Sequence, residues 1–94
     1  MATIDEIKAL LTDSRSSEAI VAADALLAQE DIATSERAMA YFLRGNAYRQ
    51  MSDWRMAMNS YLEAMELDPD GPATMAYNSA QEILAFFNKD LYNP

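Results

Sequence analysis

Residues 38–71 read AMAYFLRGNAYRQMSDWRMAMNSYLEAMELDPDG, and this stretch decides the fold. Two helices are legible in it. A helix over about 36–51 brings Tyr41, Phe42, Leu43 and Tyr48 into one aromatic-rich segment. A second, over about 54–67, repeats Trp54, Met58, Tyr61, Leu62 and Met65 on one side at helical spacing. Ser52-Asp53 is a tight turn between them, and the Asp53 carboxylate can accept from the free backbone N–H groups of the following first turn. Asp68-Pro69-Asp70-Gly71-Pro72 ends the second helix: Pro69 cannot continue it, and Pro72 suits the first position of a new one. So short a connection forces an antiparallel pair. Gly45 and Ala57 are predicted where the two helices approach closely, and Ala64 where the next helix packs. Tyr41, Tyr48 and Tyr61 fill the spaces between, each buried ring contributing roughly 1.5–3 kcal/mol.

Working outward, three more helices flank this hairpin. Ile4, Ile7, Leu10 and Leu11 predict a helix over about 3–12. Asp13-Ser14-Arg15-Ser16 is a polar turn. A helix over about 17–29 follows, with Ser16 or Ser17 as its cap and an apolar face that includes Ile20, Ala23, Leu26 and Leu27. Asp31-Ile32-Ala33-Thr34 connects to the central pair, where Thr34 or Ser35 is expected to cap. Beyond the proline break, a fifth helix is predicted over about 72–88. Asn88 to Pro94 reads as a tail able to fold back over it. The expectation is a single all-α domain over 1–94, built of antiparallel hairpins.

Composition agrees. The chain has 94 residues, 51% of them apolar, which suffices for one core. Only two Gly and three Pro occur, and β-branched residues are scattered, so the chain favours helix. With neither His nor Cys, the commonest general base, the commonest transition-metal ligand and any thiolate chemistry are missing. The net charge of −8 argues against a basic nucleic-acid surface. No apolar run reaches the roughly 18 residues of a membrane span, and the acidic N-terminus lacks signal-peptide features, so a cytoplasmic protein is expected. No nucleophile elbow, phosphate loop or metal motif is present, and neither enzymatic activity nor a cofactor is expected. Asp68-Pro69-Asp70-Gly71 resembles the start of a calcium loop. The later ligand positions fall on Pro72, Thr74, Ala76 and Ser79, so the segment reads as a turn.

The order aromatic, small, aromatic, Ala, aromatic, Ala, Pro at Tyr41, Gly45, Tyr48, Ala57, Tyr61, Ala64 and Pro69 resembles one complete tetratricopeptide repeat, a unit of about 34 residues. The first hairpin, 3–31, resembles a degenerate copy. Ala19 aligns with Ala57 at a separation of 38 residues, Ala23 stands where Tyr61 does, and Asp31 replaces the proline. The helix over 72–88 resembles a capping helix in the register of a next repeat, with Met75 at the Tyr41 position and Ser79 at the Gly45 position. The resemblance implies a short α-solenoid whose first repeat helices line a concave face, and a scaffold that binds a segment of a partner protein.

By the same resemblance, the ligand-facing positions are Met39, Phe42, Asn46, Arg49 and Gln50, three to four apart and therefore on one helix face. Phe42 offers apolar area, Asn46 can bond a peptide backbone, and Arg49 can pair with a carboxylate. Alternatively, Met39 and Phe42 simply pack on neighbouring helices. Some family members grip a chaperone's C-terminal carboxylate with Lys, Asn and Arg. Here Phe42 stands where Lys is needed and Leu43 where Asn is needed, so that clamp is incomplete. Residues 36–51 carry Arg37, Arg44 and Arg49 against Glu36, leaving −10 for the remainder. This basic helix either steers an acidic segment inward or pairs with acidic neighbours. Met39, Met51, Met56, Met58, Met65 and Met75 read as core filler or as an adaptable surface. Finally, Tyr77, Ile83, Leu84, Phe86, Phe87, Leu91 and Tyr92 exceed one buried stripe. Either the tail covers them, or Tyr77, Leu84, Phe87, Leu91 and Tyr92 form an interface, a homodimer included.

Overall fold

The structure, a computed structural model, describes residues 2–92, with side chains through Phe86. Five helices follow in order: α1 (Ile4–Thr12), α2 (Ser16–Leu27), α3 (Thr34–Gln50), α4 (Trp54–Leu67) and α5 (Pro72–Tyr92). No strand occurs among the described residues. α1 and α2 form one hairpin and α3 and α4 a second. α3 packs on α1 and α2, and α4 on α5, so the elements stack in a line. The fold class expected from the sequence is the one observed.

Local chemistry sets the helix ends. The Thr3 hydroxyl accepts from Glu6 N at 3.2 Å to cap α1, and Asp53 Oδ1 accepts from Met56 N at 3.2 Å to cap α4. Two expected caps are different. Arg15 and Ala33 occupy the cap positions of α2 and α3, and neither side chain caps. Ser16 is already helical, and its hydroxyl is taken by Gln50. Arg37 of α3 instead serves the neighbouring helix: it donates to Leu27 O at 3.0 Å and to Gln29 O at 2.9 Å, satisfying carbonyls at the end of α2.

The two hairpin turns are copies of each other. Ser14 and Ser52 both adopt the left-handed conformation, at φ 60° and 61°. In the first turn Ser14 N donates to Leu11 O and Arg15 N to Leu10 O; in the second Ser52 N donates to Arg49 O and Asp53 N to Tyr48 O. Each partner lies 38 residues after its counterpart, so the offset between Ala19 and Ala57 holds throughout the turn. A left-handed residue closing a helix in this way satisfies its last carbonyls and reverses the chain within three residues.

The core is built largely of alanine, which lets the helices approach closely. One cluster joins Ile7, Ala19, Ala22, Ala23, Leu26, Ala40, Leu43 and Ala47 between α1, α2 and α3. Another joins Ala57, Tyr61, Ala64 and Ala73 between α4 and α5. Phe42 packs against both. Ala64 leaves room for Ala73 of the next helix, as its spacing predicted. Gly45 meets α4 through a side chain. A Cβ there would lie 2.5 Å from Tyr61 Cε1, so glycine makes room for the Tyr61 ring rather than for the α4 backbone.

α5 continues through Tyr92, and the fold-back tail from Asn88 is thereby corrected: the chain keeps one helical direction because nothing from Lys89 to Tyr92 breaks a helix. Ala73, Ala76, Tyr77, Ala80, Ile83 and Leu84 form its buried or half-buried stripe. Met75 and Phe86 lie on exposed positions.

Candidate functional site

Met39, Phe42, Asn46, Arg49 and Gln50 fall on one side of α3 by their spacing. Their surroundings differ along the helix. At its start, Met39 and Phe42 are half-buried and pack on the first cluster. Together with Ser35, Ala38, Ala64, Asp68, Gly71, Pro72 and Ala73 they line a small pocket of about 20 Å³, as polar as it is apolar. Phe42 also meets Tyr61, with ring centroids 6.0 Å apart and planes inclined by 37°. These two side chains pack on neighbouring helices and also line that depression.

The far end is polar. Tyr61, fully buried as a residue, donates its hydroxyl proton to Asn46 Oδ1 at 2.6 Å. Burial pushes the Tyr61 hydroxyl above its ordinary value, while the nearby Arg49 guanidinium opposes that rise. The Arg49 guanidinium lies 5.5 Å from the centroid of the Trp54 ring, a cation–π contact at the start of α4. Gln50 is engaged with the first hairpin. Its Nε2 donates to Leu11 O at 3.0 Å, and its Oε1 accepts from the Ser16 hydroxyl at 2.6 Å. It ties α3 to the turn between α1 and α2.

The other basic residues of α3 are engaged within the fold. Arg37 holds the end of α2. Arg44 Nε lies 3.1 Å from Asp24 Oδ1, and its guanidinium sits 5.6 Å from the Tyr48 ring centroid. Arg44 and Tyr41 face the opposite side of α3, where they border a larger, open depression with Met56, Asn59, Ser60, Leu62 and Glu63. Arg49 is thus the cation that α3 directs to the side carrying Asn46.

Tyr77 packs against the α4 cluster and Leu84 is half-buried. The side chains of Phe87, Leu91 and Tyr92 lie outside the described residues. Met39 and Met65 pack on the clusters, while Met51 and Met75 are exposed. Among the described residues, no group of three or more acidic side chains is placed to hold a metal ion, and no helix is long and apolar enough to cross a membrane.

Sequence reasoning gave Tyr61 only a packing role. Its polar role was legible in one respect. A hairpin turning at Ser52-Asp53 brings Tyr61 back beside Asn46, and a buried tyrosine hydroxyl needs a partner.

Stacked helical hairpins related by a fixed offset, with identical turns, define a helical repeat protein of the solenoid class. The tetratricopeptide repeat family matches residues 38–70. The solution NMR structure of the Bacteroides fragilis protein BF1650 is similar over 99% of this chain and 91% of that one, at 40% sequence identity and a TM-score of 0.85. No curated protein matches the chain. The chain belongs to the tetratricopeptide repeat family, whose members are non-catalytic scaffolds for protein–protein interaction.

Proposed function

We propose that the chain binds an extended segment of a partner protein along the side of α3 that carries Met39, Phe42, Asn46 and Arg49. The supporting observation is the division of that side into the half-buried Met39 and Phe42 beside a small pocket at one end and the polar side chains of Asn46 and Arg49 at the other. From Met39 to Arg49 the helix rises about 15 Å, the length of four to five extended residues. An apolar side chain of the segment enters beside Met39 and Phe42, and an acceptor meets Asn46 and Arg49. Asp68 and Arg49 place opposite charges at the two ends, which favours one direction of the bound segment. Gln50 supports the site by anchoring α3. The rest of the chain serves as the frame, in the cytoplasm, without catalysis or cofactor.

The test is a matched pull-down from a lysate of the source organism with the parent and an Asn46→Ala/Arg49→Glu variant. Both must first give the same helical circular dichroism. A protein retained by the parent and lost by the variant supports the reading. Equal capture by both forms contradicts it.

A second reading is self-association through α5. The exposure of Met75, at 77%, favours it. In this reading Tyr77, Leu84, Phe87, Leu91 and Tyr92 belong to the contact region. Light scattering separates the two, because only self-association gives a mass that doubles with concentration.

A further inference from the structure

Three groups meet at the polar end of α3: the Arg49 guanidinium, the Tyr61 hydroxyl and the Asn46 carboxamide. Their chemistry gives the cluster a direction. A carboxamide oxygen only accepts, so the hydroxyl must be the donor of the bond that joins them. The hydroxyl proton is thereby given its place. It points at Asn46 Oδ1, 2.6 Å away, at the short end of hydrogen-bond distances between oxygens. A carboxamide has one acceptor atom and one donor atom on opposite branches. With Oδ1 fixed toward Tyr61, Nδ2 is turned the other way.

We propose that Tyr61 is a positioning residue for the groove: its hydroxyl holds the Asn46 carboxamide so that Nδ2 is the group offered to a bound segment. The polar end then presents donors alone, from Asn46 and Arg49, and takes a hydrogen-bond acceptor while rejecting a donor. The inference rests on the reading of α3 as the binding side. It adds which residue sets the polarity of that side. A phenylalanine at position 61 would fill the space over Gly45 equally well but leave the carboxamide free to turn over. The hydroxyl therefore does something that packing alone does not need. The acceptor can be a carboxylate or a neutral carbonyl, since both offer oxygen lone pairs in the same geometry.

Nitrogen-resolved NMR of the full chain tests this without a known partner. The parent is predicted to show one pair of Asn46 Nδ2 proton signals, displaced from the values of an exposed amide. Tyr61→Phe should return that pair toward exposed values while the backbone amides of α1 and α2 stay in place. Titration with acetate and with N,N-dimethylacetamide, which only accept, should move the parent's Asn46 signals. Methylammonium, which only donates, should not. The acetate and dimethylacetamide arms distinguish a charged carboxylate from a neutral carbonyl. In Tyr61→Phe the response to both acceptors should fall at least twofold.

Arg49→Leu supplies a second variant that leaves the Tyr61 ring intact. It also leaves the bond from Tyr61 to Asn46 in place, so the Asn46 pair should stay displaced. Asn46 signals unchanged in Tyr61→Phe would overturn the proposal, as would their return to exposed values in Arg49→Leu or an equal response to methylammonium. If the pull-down still depends on Asn46 and Arg49 in that case, the binding side stands and only the role of Tyr61 falls.

Discussion

Gly45 and Tyr61 form a fitted pair, small against large, and 38 residues earlier the same two positions hold Ile7 and Ala23, large against small. Ile7 and Ala23 are both fully buried, as is Tyr61. Each hairpin thus fills the space between its helices once, from opposite sides. A core at crystal-like density tolerates such an exchange because it conserves volume across the contact, not at one position.

The pair makes Gly45→Ala informative. A Cβ at position 45 falls 2.5 Å from one ring carbon of Tyr61 and 2.6 Å from another. In an exposed helix the same change would gain about 1 kcal/mol. Here the overpacking outweighs that gain, and a net loss of about 1–2 kcal/mol is expected. Urea denaturation of Gly45→Ala, Tyr61→Leu and the double variant checks it. The double variant should be more stable than the sum of the two single losses predicts.

Arg37 closes the C-terminal end of α2. Its two bonds join the start of α3 to the end of α2 across the irregular connection. Arg37→Met should cost about 1.5–3 kcal/mol, the range for hydrogen bonds to a charged group. Arg37→Lys should recover little, since a single ammonium cannot reproduce the fork that reaches Leu27 O and Gln29 O together. Thermal unfolding of the three forms is the measurement.

Phe42 touches both clusters, so its loss should be felt on both sides of α3. Phe42→Ala is expected to destabilise by about 2–3 kcal/mol, below the full cost for a buried ring because Phe42 is only half-buried. Amide hydrogen exchange should show faster opening in α2 and in α4 alike. Acceleration confined to one hairpin would contradict the bridging role.

Tyr61 gives a pH dependence with a definite sign. Burial raises its pKa above the ordinary value of 10.0 in the folded chain. The folded state holds this proton more tightly than the unfolded one, so the contribution is fully present below about pH 10. It is lost as pH climbs from there through the raised folded value. Denaturation at pH 8 and near pH 10.5 should therefore show a steeper fall for the parent than for Tyr61→Phe. Equal slopes would contradict it.

The sequence carried the architecture because its punctuation was strong. Asp53 and the run from Asp68 to Pro72 mark boundaries by mechanisms that tertiary packing does not override, and α4 spans the residues that spacing predicted. Weaker signals failed where another contact won. Ser16 is a good capping residue on composition, yet Gln50 claims its hydroxyl from 34 residues away. The cap expected at Thr34 or Ser35 does not form, and Arg37 reaches the end of α2 across a connection that no local pattern describes. The tail after Asn88 looked irregular because Asn and Asp favour turns, but with no Pro or Gly before Asn93 the helix runs on. At the candidate site, spacing placed Met39, Phe42, Asn46 and Arg49 on one side of α3. It could not show that Gln50 is occupied by Leu11 and Ser16, nor that Tyr61 reaches Asn46, because both contacts join residues that are close only in space.

The central claim is that the Met39 side of α3 is the binding side. A photoreactive side chain placed at Met39, and separately at Val21 on an exposed position of α2, tests it most directly when each protein is irradiated in cells of the source organism. The account predicts a discrete adduct with another protein from position 39 and none from position 21. Adducts from position 21 alone, or equally from both, would contradict it, and an adduct from position 39 at twice the chain's own mass would turn the account toward self-association.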